Sequence, residues 1–233
     1  TNPEDGELTR KALSVVRSTP EHQLSSQNRY KRWVVSGGGQ GITHQILNAL
    51  IKQCDYRPSV LVLGRTPLNG MRKRSIPDRA EIRERLLKEG IEPTPLRVRE
   101  RLKLLVKVNR LINNLHQLQQ QADIYYASVD ICNSQATSNA VAQFERQHGA
   151  ADLLIHGAGK DSSRLFKNKT QTEFAAILQP KMNGLLNLLD ACKADPRLIA
   201  IGSVSGFFGN LGQTDYAAAN SALAAFSAHR ENS

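Results

Sequence analysis

The sequence predicts an α/β domain built on a doubly wound parallel sheet. Three observations carry this. Short apolar runs of strand length alternate along the chain with stretches of helical periodicity. The first run, Arg32-Trp33-Val34-Val35-Ser36, passes straight into the glycine cluster Gly37-Gly38-Gly39-Gln40-Gly41. The chain has 233 residues, enough for one such domain with a sizeable core.

Residues 1–30 are polar, with Pro3, Pro20 and the stretch Ser25-Ser26-Gln27-Asn28, and read as a linker with one short helix at Leu8–Arg17. The first strand, Arg32–Ser36, is followed by a helix with Ile42, Ile46, Leu47, Leu50 and Ile51 on one face. Val60–Leu63 is the second strand and ends at Gly64-Arg65. Ile124–Asp130 is the third, Leu153–His156 the fourth and Leu198–Ile201 the fifth. Between the second and third strands, residues 71–121 are too long for an ordinary crossover and predict a helical insertion. Ser75-Ile76-Pro77-Asp78 reads as a helix start and Gly90 as a stop, with Pro93 and Pro95 breaking the chain. A second helix is expected over Arg97–Gln121, with Leu104, Val108, Leu111, Leu115 and Leu118 at spacings of four and three. That stripe reads either as a face packed on its own domain or as a docking face for a neighbour.

Composition narrows the function classes. The formal charge is +10, and much of the excess lies in Arg72–Arg110, where Arg and Lys alternate with Glu. Such alternation reads as a solvated face, and the segment lacks the interleaved aromatics of a single-strand binder, so a nucleic-acid partner is not expected. No window approaches 18 uninterrupted apolar residues, so no membrane span is expected. Cys54, Cys132 and Cys192 are scattered without metal spacing, which suits a reducing cytoplasm and predicts no metal site.

The candidate ligand site lies at the strand ends. Ser36-Gly37-x-x-x-Gly41-Ile42 sits between the first strand and first helix, so Ser36, Gly37, Gly38, Gly39, Gly41 and Ile42 are candidate cofactor residues. A turn of this kind passes close to a pyrophosphate, where side chains would obstruct, and the next helix offers free N–H groups. Arg65 ends the second strand, where an acidic residue would hold ribose hydroxyls. An arginine there instead pairs with a 2′-phosphate, pointing to NADPH, and Thr66 can add a hydroxyl. Asp130 and the adjoining Ile131 are expected near the adenine edge, and His156-Gly157-Ala158-Gly159 beside the cofactor.

The most informative run is Gly202-Ser203-Val204-Ser205-Gly206 through Gly212-Gln213-Thr214-Asp215-Tyr216-Ala217-Ala218-Ala219-Asn220. Ser203 precedes Tyr216 by thirteen residues, at the end of the fifth strand. This resembles the short-chain dehydrogenase/reductase superfamily. Most members carry lysine four residues after the tyrosine. Here that position is Asn220, and the lysine lies upstream in Gln179-Pro180-Lys181-Met182-Asn183-Gly184. The swapped arrangement is similar to ketoreductase (KR) domains of polyketide and fatty-acid synthases. The insertion after Arg65 and the His-Gly-Ala-Gly run most resemble iterative polyunsaturated-fatty-acid or enediyne-type synthases.

The resemblance implies a Rossmann-like fold over residues 31–233 and a reduction of a β-ketoacyl thioester, held on an acyl carrier protein, to the β-hydroxyacyl form. Tyr216 would be the proton donor. The Lys181 ammonium would lower its pKa from the free value near ~10. Ser203 would hydrogen-bond the carbonyl oxygen, Asn220 would hold Lys181 or a water chain, and NADPH would carry the hydride. The other domains of one multienzyme are the implied partners. The pattern departs from the family at Thr43, where the third glycine of the phosphate turn is usual. It departs again at Lys160-Asp161-Ser162-Ser163, which lacks the Leu-Asp-Asp of one stereochemical class and leaves the alcohol configuration open. The family's domain continues past the catalytic helix. The ends at Thr1 and Ser233 therefore read as cut, with the sheet truncated at its C-terminus, the fifth strand left as an exposed edge and the piece inactive alone. A stand-alone reductase of a small carbonyl compound and a non-catalytic structural domain are the competing readings.

Overall fold

The computed structural model describes residues 30–68 and 76–231. The expected linker with its Leu8–Arg17 helix, and Ser75 at the expected helix start, lie outside the described residues. The chain runs β1 (Arg32–Ser36), α1 (Gly41–Lys52), β2 (Ser59–Gly64), α2 (Arg79–Lys88), α3 (Pro95–Gln119), β3 (Asp123–Ser128), α4 (Ser134–His148) and β4 (Leu153–His156). It continues through α5 (Gln171–Lys181), α6 (Asn183–Ala191), β5 (Arg197–Ala200), α7 (Ser205–Phe208) and α8 (Thr214–Glu231). The strands form one five-stranded sheet in the order β3-β2-β1-β4-β5, with every pair parallel. This is the Rossmann-like doubly wound sheet with a helical insertion after the second strand.

Strand parity sorts the core into two layers. Trp33, Val35, Val60, Val62, Leu153 and Ile155 pack with Leu47 and Ile51 of α1 and Leu111, Leu115 and Leu118 of α3. Val34, Leu61, Leu63 and Leu154 face the other way, onto Val141 and Phe144 of α4, Leu185 and Leu188 of α6, and Leu223 of α8. Successive residues of a strand point to opposite faces, so each central strand is buried on both. In α1 the expected stripe holds at Leu47 and Ile51, but Ile42 is 74% exposed. It sits in the first turn, at the mouth of a cleft rather than over the sheet.

The insertion folds as a helix pair. Asp78 caps α2, its carboxylate accepting from the Glu81 N–H, and Gly90 with φ of 71° follows its end. The second helix starts at Pro95, two residues before the expected Arg97, because Thr94 caps it and proline suits a first helical turn. Val108, Leu111, Leu115 and Leu118 of its stripe are buried, whereas Leu104 is 45% exposed. The stripe's C-terminal half lies against the sheet, so it packs on its own domain. Its N-terminal half pairs with α2 through Val98, Ile82 and Leu86. β3 ends at Ser128, short of the expected Asp130, because its ladder with β2 runs out at Gly64. β5 occupies one edge of the sheet among the described residues, with Leu198, Ile199 and Ala200 half-buried.

Candidate functional site

All five strands point their C-terminal ends at one cleft of about 540 Å³. In an open parallel sheet the loops after the strands leave a crevice there, where ligands bind. Gly37, Gly39, Gly41 and Ile42 line it after β1, and Arg65 and Thr66 after β2. Asp130 and Ile131 follow β3, and Gly157, Ala158 and Gly159 follow β4. Lys181 of α5 and Tyr216 of α8 line the opposite end. Residues separated by up to 179 positions thus share one wall system, as their expected roles require.

The glycine turn has specific steric reasons. Gly37 holds φ of 78°, and a Cβ there would lie 2.9 Å from the Ala158 nitrogen, so the β1 and β4 loops approach backbone to backbone. Gly38 does not line the cleft; it is buried over Val35 and Leu47 and lets α1 close on the strand. Thr43 stands where a third glycine was expected. It is buried, and its hydroxyl donates weakly to the Gly157 carbonyl at 3.4 Å. Gly157 in turn leaves the space that Thr43 fills, since a Cβ there would lie 2.1 Å from Thr43 Oγ1. The bulk is moved between neighbouring loops and the turn keeps its shape. The N-cap of α1, Gln40, makes no side-chain cap, and the first turn carries no acidic residue. The free N–H groups of that turn therefore open on the cleft, and with Arg65 they fit a phosphate-bearing ligand.

Two expected cofactor residues are placed behind the cleft. Ser36 and His156 are fully buried, and are register partners on β1 and β4. Ser36 Oγ lies 2.8 Å from His156 Nδ1, and His156 Nε2 lies 3.1 Å from the Lys181 carbonyl. The carbonyl can only accept, so Nε2 carries the proton and Nδ1 accepts from the Ser36 hydroxyl. The Ala158 N–H donates to the same hydroxyl oxygen at 3.3 Å. Burial first, and the nearby Lys181 charge second, push the imidazole pKa down from 6.5 to about 4. His156 is thus a neutral strut between the turn after β1 and the backbone of Lys181.

The expected catalytic set is held unevenly. Pro180 lies in the last turn of α5, the helix ends with Met182 as its cap, and a new helix begins at Asn183. Lys181 sits at this junction, 4% exposed, with Nζ donating to the Ile201 carbonyl at 2.6 Å. Desolvation lowers its pKa. Gly159 leaves room for its stem, since a Cβ there would lie 2.9 Å from Lys181 Cε. Ser203 is half-buried and pairs with Ser205 Oγ at 2.9 Å, just outside the cleft wall. Asn220 is buried behind Tyr216, one helical turn on, and its Nδ2 donates to the Tyr216 carbonyl at 2.7 Å. Its Oδ1 is buried without a partner among the described residues.

Sequence reasoning missed four contributors. Asp215, 1% exposed, accepts from the backbone N–H of Tyr216 at 2.9 Å and from the buried ammonium of Lys169. Lys107 and Leu111 of α3 reach the cleft from the insertion. Tyr126 of β3 also lines it, with its hydroxyl donating to the Thr66 carbonyl at 2.7 Å. No local motif announces any of them.

Comparison with known proteins identifies the family and the fold. The KR domain family model matches residues 32–233. One polyunsaturated fatty acid synthase chain, from a Thraustochytrium species, is 27% identical over 231 residues, covering 92% of this chain and 8% of that protein. The crystal structure of a ketoreductase domain from the bacillaene assembly line superposes with a TM-score of 0.63 at 25% identity, covering 87% of this chain and 40% of that one. An alcohol dehydrogenase from the archaeon Thermococcus sibiricus, complexed with 5-hydroxy-NADP, shares the fold with a TM-score of 0.62 at 14% identity. It is covered over 71% of its length, and this chain over 87%. The five strands, the glycine turn, Lys181 and Tyr216 all lie within the matched span, and this chain belongs to the KR domain family, with a fold of the short-chain dehydrogenase/reductase type shared by the solved structures.

Proposed function

We propose that this domain reduces a β-ketoacyl thioester, carried on an acyl carrier protein, to the β-hydroxyacyl form, using NADPH within a polyketide or fatty-acid synthase multienzyme. The observation that carries this is the single cleft joining the glycine turn and Arg65 at one end to Lys181 and Tyr216 at the other. The phosphate end would be held by the α1 N-terminus and by Arg65, whose guanidinium suits a 2′-phosphate. NADPH held there would supply the hydride, a proton with two electrons, for the carbonyl carbon. As the C–H bond forms, the C=O π pair moves to oxygen, which takes the phenolic proton of Tyr216. Lys181 puts a positive charge beside that proton transfer, and its spare N–H groups can orient Tyr216 or a water. Ser203 lies two residues from Ile201, whose carbonyl anchors Lys181, and supplies a hydroxyl for the developing oxyanion. Asn220 and Asp215 set the backbone around Tyr216.

The test is NADPH consumption by the full-length protein with a β-ketoacyl thioester, comparing wild type with Tyr216→Phe. The expected loss is on the order of 10²-fold or more, the scale of general acid catalysis. Equal rates in the two proteins sink the mechanism. A wild type that uses NADH as well as NADPH sinks the role given to Arg65.

A further inference from the structure

The insertion helix α3 does more than cover the sheet. It is bolted to the glycine turn at three points. Gln40 Nε2 donates to the Lys107 carbonyl at 2.9 Å, and Asn114 Nδ2 donates to the Gly39 carbonyl at 2.9 Å. Leu111, 3% exposed, fills the space above Gly39, where a Cβ would lie 2.4 Å from Leu111 Cδ1. Residues four apart share a helix face, so Lys107 lies on the same side as Leu111, one turn nearer the N-terminus. There Leu111 meets the turn, and Lys107, exposed, lines the cleft together with Gln40, Gly64 and Arg65.

A cationic strip continues from that point. Lys103 and Arg110 line a smaller depression with Gln40 and Lys107, adjoining the cleft. Among the described residues none of Lys103, Lys107 and Arg110 forms an ion pair, while Lys88 of α2 and Arg101 of α3 do. Unpaired like charges set side by side at a cleft rim repel one another and favour an anion. Arg65 lines the same cleft from the end of β2. A phosphate monoester carries about two charges near neutral pH and three strong acceptor oxygens, so it suits recognition from two sides.

We propose that Lys107, supported by Lys103 and Arg110, is a specificity-determining cofactor residue that meets the adenosine 2′-phosphate opposite Arg65. The insertion is then a second wall of the cofactor site. This rests on the NADPH reading above, and the experiment separates the two. NADPH and NADH are titrated into the protein by nucleotide fluorescence, with wild type, Lys107→Ala and Lys107→Arg. Lys107→Ala is expected to weaken NADPH binding by about 10- to 100-fold, the size of one charge-assisted hydrogen bond, and NADH binding by less than about 2-fold. Lys107→Arg, which keeps the charge, is expected to retain most of the NADPH preference. Two results overturn the proposal while leaving the NADPH reading intact: an unchanged NADPH affinity in Lys107→Ala, or equal weakening of both nucleotides, which would mean a loosened turn. A wild type with no preference for NADPH overturns both.

Discussion

Acidification should unlatch this fold at His156. The ring is fully buried between Ser36 Oγ and the Lys181 carbonyl, at 2.8 and 3.1 Å. Its neutral form satisfies every partner. A second proton, on Nδ1, would face a Ser36 oxygen that already accepts from Ala158, and would place a cation beside Lys181 in a dry interior. The folded pKa accordingly drops from 6.5 to about 4, chiefly through desolvation. The unfolded chain takes up this proton first, so between pH 6.5 and about 4 it binds more protons than the fold, and stability falls as pH falls. Each pH unit of that window is worth ~1.4 kcal/mol, so the full descent costs about 3 kcal/mol. Above pH 6.5 the contribution is complete. Urea unfolding free energies would be measured at steps from pH 7 to pH 4 for wild type and His156→Gln. Glutamine can still donate to the Lys181 carbonyl but cannot titrate. Carboxylates titrate alike in both proteins, so the difference between the two curves isolates the imidazole. Wild type is expected to lose about 3 kcal/mol more than the variant over the descent. Parallel curves would refute the buried neutral strut.

Three further changes probe other parts of the site. Gly157→Ala places a Cβ 2.1 Å from Thr43 Oγ1 and 2.6 Å from its Cγ2. It should cost about 1–3 kcal/mol in denaturant unfolding, much of it recovered by adding Thr43→Ala. Asp215→Asn strands the buried Lys169 ammonium, whose side chain is 3% exposed. A loss of about 3–5 kcal/mol is expected, with the double variant Lys169→Met/Asp215→Leu more stable than Asp215→Asn alone. Leu111→Ala should cost about 2–4 kcal/mol, and Gly39→Ala should be far less harmful in that background than in wild type, because its new methyl occupies the vacated space. Additive effects of Leu111→Ala and Gly39→Ala would show that the helix and turn are not packed as described.

How much was legible in the chain follows from the range of each interaction. β1 and β4 each end one polar residue past their apolar runs, at Ser36 and His156, where glycine follows and stops the strand. The glycine turn and Arg65 were readable because each sits at a strand end, and parallel topology delivers such ends to one crevice, whereas Lys181 and Tyr216 were expected from the resemblance to ketoreductases. Side-chain direction was not readable in the same way. Ser36 and His156 share a face only because β1 and β4 pair in the register that sets Ser36 opposite His156. A slip of one residue would have turned either into the other layer. Ile42 looked apolar and inward by its period, yet the first turn of α1 overhangs the cleft, so it is exposed.

The insertion marks the same boundary. Its stripe announced an amphipathic helix, but Pro95, expected to break the chain, instead opens that helix behind the Thr94 cap. What the stripe would cover was left open, since an apolar face is satisfied equally by its own sheet or by a neighbour. Contacts between Gly39-Gln40 and Lys107–Asn114, some seventy residues apart, closed that question and made the helix part of the cleft wall. Periodicity, caps and glycine placement are local properties, written within a few residues. Register, layer and the partner of each face arise from burial summed across the whole chain, and these chose which of the expected residues face the cleft and which brace it from behind.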